Sequence, residues 1–152
     1  VLGDEARGDV GAHGFWKQGR TTIFDVQVCD TDAKSYGNRE SKKVLESAAR
    51  RKKDKYEGAC LERRRDFTPM IYSVDGMADK HARAAERRIA GMLAAKWTRQ
   101  YSQMACFVRT RMCLAVVRSN TLLLRGDRVM NWRRRAPDDG VGVRAAMTYQ
   151  IQ

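Results

Sequence analysis

The run Thr21–Cys29, TTIFDVQVC, constrains this chain more than any other segment. It is rich in β-branched and aromatic residues and is long enough for one strand, so it reads as the best strand in the sequence. Alternation places Phe24, Val26 and Val28 on one face, expected to be buried against a helix. Ile23, Asp25 and Gln27 share the other face. A carboxylate in mid-strand is disfavoured by propensity and by desolvation, so Asp25 calls for a cationic partner or a metal ion. Upstream, residues 6–16 alternate weakly and are rich in Gly. With Gln18, Gly19 and Arg20 between them, the two segments read as a hairpin. That hairpin would bring Asp9 to Asp25. Two such carboxylates suit Mg²⁺ or Mn²⁺, with water and phosphate filling the remaining positions. An acidic pair on a hairpin with no metal role is the plainer alternative.

Beyond the hairpin, residues 30–38 read as a loop in which Asp30 and Asp32 start a turn. Residues 40–65 read as a helix with Val44, Leu45, Ala48 and Ala49 on one face. Residues 67–74 read as a third strand closed by Asp75 and Gly76, and Pro69 implies an edge position or a bulge. Residues 77–100 form an amphipathic pattern through Ala85, Ile89, Met92, Leu93 and Trp97. Residues 101–124 follow as a further helix, with a break expected near Ser119 and Asn120. Cys106 and Cys113 are seven apart and therefore share a helical face, expected to pack in the core. His13 reads as a strand histidine with its hydrogen bonds satisfied. The order strand, strand, helix, strand, helices predicts an α/β domain: a small mixed sheet flanked by helices. It would cover residues 1–128, with a basic, loosely structured tail at 129–152.

The chain of 152 residues carries 30 Lys and Arg against 18 Asp and Glu, a formal net charge of +12. Such an excess attracts polyanions, and DNA or RNA phosphate is the expected partner. The candidate contacts are Arg50, Arg51, Lys52, Arg63, Arg64, Arg65, Arg133, Arg134 and Arg135. For Arg63 to Arg65, cations at a helix C-terminus also suit the dipole, so a structural role stands beside phosphate contact. Trp16, Trp97 and Trp132 are candidates for base stacking, although Trp97 also fits the apolar face of its helix. No apolar stretch approaches the roughly 20 residues of a membrane-spanning helix. No signal peptide is visible, and the start at Val1 suggests a processed chain or a piece of a longer one. The four cysteines lack metal-site spacing, which implies reduced thiols in a reducing compartment, the nucleus or an organelle.

Arg7-Gly8-Asp9, then Ile23-Phe24-Asp25-Val26-Gln27-Val28, then Lys53-Asp54-Lys55-Tyr56 resemble the restriction-like endonuclease domain of certain non-LTR retrotransposon reverse transcriptases. That domain belongs to the PD-(D/E)xK superfamily. The family pattern runs Arg/Lys-Pro-Asp, an apolar strand with Asp-Val-x-Val, then a helix with Lys-x-x-Tyr. The resemblance implies a restriction-endonuclease-like fold with Asp9 and Asp25 as metal ligands and Lys53 as the helical lysine. Gly8 stands where the family has Pro, and Gln27 stands at the usual lysine position. Gln27 can hydrogen-bond water but supplies no charge. Activity would then rest on Lys53 pointing inward, with Lys52 and Lys55 turned away by about 100° and 200°.

Two functions follow as expectations. The first is a retroelement-derived, metal-dependent endonuclease that nicks DNA through Asp9, Asp25, Gln27 and Lys53. The second is a catalytically inactive basic subunit, held in a reverse transcriptase, ribonucleoprotein or other large assembly. Fold alone does not separate them.

Overall fold

The computed structural model describes residues 8–125. Arg7, Trp132, Arg133, Arg134 and Arg135, all singled out above, lie outside the described residues. The elements are β1 (Val10–His13), β2 (Thr21–Cys29), a 3-10 turn (Lys34–Tyr36), α1 (Ser41–Glu62), β3 (Arg65–Ser73), α2 (Lys80–Trp97) and α3 (Tyr101–Arg125). The chain divides into two compact units, Val1–Arg118 and Ser119–Gln152. Of the second unit, only the last residues of α3 are described.

The first unit is a small mixed α/β domain with sheet order β1-β2-β3. β1 pairs antiparallel with β2, and β3 pairs parallel with it. The β1–β2 connection closes where Gly14 N–H donates to Arg20 O at 2.7 Å. Gly14 and Gly19 adopt φ of 70° and 75° there, a region that only glycine enters without strain. A parallel pair needs a crossover, and α1 supplies it. Its sequence contains Ala and long unbranched side chains with Val44 as the lone β-branched residue, a composition that favours helix. The helix stops at Glu62 rather than residue 65 because Arg64 turns to a φ of 53°, which lets the chain enter β3.

Among the described residues β3 is an edge strand beyond which only an isolated bridge forms, Tyr72 to Ala78, so Pro69 sits where a missing N–H is tolerated. The bridge also explains why α2 begins three residues later than its apolar pattern implies. Asp79 caps the helix, accepting from Ala82 N–H at 2.8 Å and His81 N–H at 3.0 Å. α3 runs unbroken through Ser119 and Asn120, in contrast to the break expected there, and contains neither Gly nor Pro.

The sheet buries both faces. On one, Phe24, Met70 and Tyr72 pack with Phe15, with Ala82 and Ala85 of α2, and with Val116 of α3. On the other, Cys29 and Ile71 pack with Leu45, Ala48 and Ala49 of α1. Burial thus follows the alternation of β2 and the stripe of α1, with exceptions. Val26 shares the face of Phe24 and Val28 but is 47% exposed, which corrects its assignment to the core. Its side chain lies beyond the end of β1, where the chain continues as Asp9 and Gly8. Met92 and Trp97 are also exposed, because α2 makes its buried contacts through Ala82, Ala85 and Ala90. Trp97 packs edge-on against Phe107 of α3 instead. Cys106 is exposed and Cys113 half-buried, so the shared face of these thiols is not a core face.

Candidate active site

Asp25 lies in the middle of β2, on the face covered by α1, and is buried. Lys52 of α1 reaches it, with Nζ 2.6 Å from Asp25 Oδ2. Their side chains are 11% and 24% exposed, so the pair is largely withdrawn from water. The contact is an ion pair more than a directed hydrogen bond, because Oδ2 is buried and accepts no well-aligned donor among the described residues. Tyr56, one turn further along α1, packs against Phe67 of β3, and the Lys52 ammonium lies 5.7 Å from the centre of its ring. Aromatic carbon and β2 therefore form the walls around the lysine head.

The lysine at this position is Lys52, where sequence reasoning expected Lys53. Lys53 instead pairs with Glu57 at 3.3 Å, one helical turn along its own helix. The signal for Lys52 was present in the sequence. At about 100° per residue, Val44, Leu45, Ala48 and Ala49 define a stripe centred about 10° from Lys52 and about 110° from Lys53. A lysine on the centre line of a buried stripe must meet a partner, and Asp25 is that partner. Lys52, named above among the phosphate contacts, is thus turned toward Asp25. Arg50 and Arg51 are exposed, as are Arg63, Arg64 and Arg65 where α1 gives way to β3.

Asp9 lies just before β1 and meets β2 beside Asp25. Its backbone N–H donates to Phe24 O at 3.0 Å, and its Oδ2 accepts from Val26 N–H at 2.7 Å. The preceding glycine is required by packing: a Cβ at Gly8 would lie 2.2 Å from Ile23 Cγ2. Gln27 shares the face of Asp25, but its amide donates to Cys29 Sγ at 3.4 Å. Burial pushes the Cys29 thiol above its ordinary pKa of 9.0, against the opposing pull of that hydrogen bond and of Arg51 and Lys52. Cys29 is therefore a neutral packing group.

Comparison with known protein families, curated proteins and solved structures finds no match. The chemistry of the site must be read from its own residues. Asp9 and Asp25 supply hard oxygen donors from adjacent backbone segments, but Asp25 Oδ2 already meets the Lys52 ammonium, which a divalent cation would have to displace or share. No group of three or more His, Cys, Asp or Glu gathers anywhere among the described residues. Any cation held here would take its remaining ligands from water or from a bound phosphate.

The other singled-out residues have structural partners. His13 Nδ1 is 3.3 Å from Thr21 Oγ1 across the hairpin. Asp30 Oδ1 accepts from Asp32 N–H at 3.1 Å, the side-chain turn expected of this pair. Trp16 donates from Nε1 to Thr68 Oγ1 at 2.8 Å and packs edge-on against Phe15.

Proposed function

We propose that this protein is a metal-dependent DNA endonuclease domain of the restriction-endonuclease-like type, with Asp25 and Lys52 at its centre. The observation that carries this reading is the buried Asp25–Lys52 pair on a sheet whose next segment presents Asp9. Isolated charges are rarely withdrawn from water on both partners without a role. Asp9 and Asp25 would hold Mg²⁺ or Mn²⁺, and the ion, when bound, lowers the pKa of coordinated water. Lys52 would exchange part of its contact with Asp25 for the scissile phosphate and offset the charge that builds on it. Gln27 has a neutral amide and would add orientation only. Arg50 and Arg51, exposed on the same helix, and Arg63, Arg64 and Arg65 would grip the backbone without reading sequence. The retroelement resemblance of the motifs accords with a domain that nicks target DNA.

A second reading is an inactive basic subunit of a nucleic-acid assembly. The direct 2.6 Å contact favours it, because Lys52 already neutralises the carboxylate a cation would need. A plasmid-nicking assay in Mg²⁺ and Mn²⁺, run beside duplex binding, separates the two. The endonuclease reading expects nicking that Asp25→Asn and Lys52→Gln each abolish and that Lys53→Gln leaves intact, while all three variants still bind duplex. Wild-type protein that binds DNA without nicking it would establish the inactive subunit. Nicking that survives Asp25→Asn would place the active centre elsewhere.

A further inference from the structure

A cleft of about 800 Å³ opens between α2, α3, the β3–α2 turn and the start of α1. None of Asp9, Asp25, Gln27, Lys52 or Lys53 lines it. Its walls carry Lys42, Arg83, Arg87 and Arg109 against Glu40 and Glu86, so cations outnumber anions two to one. Two of these charged groups are held in place by contacts within the fold. Glu86 accepts the Tyr72 hydroxyl at 2.9 Å, and Arg83 is anchored through Nε to Ala78 O at 3.0 Å. With Nε committed, Arg83 carries its remaining donors on the two terminal nitrogens, a fork suited to an oxyanion.

We infer that this cleft is a second nucleic-acid site, which takes the phosphodiester backbone of a single strand. Its volume lies within the range of about 300–1,000 Å³ typical of ligand pockets, so an extended strand enters where a duplex rides over the rim. Among the described residues no aromatic side chain lines it, so the recognition they offer rests on phosphate charge and not on base stacking. Three of its four cations are arginines, and the whole chain is strongly basic, which favours a polyanion over a neutral ligand. A domain that works on locally opened DNA meets an unpaired strand, and this cleft would hold one. The inference rests on the nucleic-acid reading above but not on its cutting step.

Cys106 lines the cleft and is exposed, whereas Cys29 is buried, so thiol alkylation reports occupancy directly. The intact protein is alkylated with and without an oligo(dT) strand, and the modified cysteines are mapped by mass spectrometry. The strand is expected to slow Cys106 modification at least tenfold, and a blunt duplex at equal phosphate concentration to slow it far less. Arg87→Glu with Arg109→Glu should weaken strand binding at least tenfold and remove the protection. Asp25→Asn should leave both unchanged, which separates this site from the proposed cutting centre. Unprotected Cys106 at saturating oligo(dT), or a charge-reversed variant that binds as well as wild type, overturns the inference. Equal protection by polyglutamate also overturns it, in favour of an acidic-peptide groove.

Discussion

Replacing Lys52 with Met leaves Asp25 in place and removes its partner. The pair is 2.6 Å apart, and its side chains are 24% and 11% exposed, closer to a buried pair than to a surface one. Removing one member of a fully buried pair costs about 3–5 kcal/mol, because the other charge remains without compensation. The residual exposure of Lys52 lets some water in, which places the expected loss at about 3 kcal/mol. Lys53→Met is the internal control. Lys53 and Glu57 are an i,i+4 pair with side chains 31% and 42% exposed, a geometry that contributes about 0.3–0.5 kcal/mol. The double variant Asp25→Leu/Lys52→Met should recover most of the loss, because an apolar pair of similar volume needs no compensation. Urea denaturation followed by far-UV circular dichroism, at constant slope, measures all three. Equal losses for Lys52→Met and Lys53→Met would refute the assignment of Lys52 to the buried centre. A loss for Lys52→Met well under 1 kcal/mol would show that Asp25 is hydrated in solution.

Two further tests address the frame around this pair. Gly8→Ala should destabilise the protein by about 1–3 kcal/mol, because the new methyl would meet the stiff β-branched Ile23 at 2.2 Å. Denaturation of that variant with an unchanged midpoint would show that the segment before β1 relaxes freely. Burial holds the His81 imidazole below its ordinary pKa of 6.5, with Lys53 and Lys80 adding to the effect and Asp79 and Glu57 opposing it. The unfolded chain then binds the His81 proton first as pH falls, so stability should drop below about pH 6.5 and level off below the folded-state value. His81→Gln should flatten that part of the pH–stability curve, and an unchanged curve would assign the acid sensitivity to other groups.

Several features were legible in the sequence because they follow from local periodicity. The β-branched alternation of Thr21–Cys29 determined a strand with Asp25 turned away from Phe24, and the structure has both. The stripe Val44, Leu45, Ala48 and Ala49 determined which face of α1 is buried. That stripe also pointed to Lys52, but the short Lys-x-x-Tyr motif directed attention to Lys53. Periodicity integrates many residues, whereas a short motif specifies only a few. Tertiary structure alone decided what periodicity cannot express. Val26 obeys the alternation yet stays exposed, because burial depends on whether a neighbouring segment covers the strand at that level. Lys42, Arg83, Arg87 and Arg109 come from three helices and share one cleft. Their convergence depends on how α1, α2 and α3 pack around the sheet, a long-range geometry that no sequence spacing encodes.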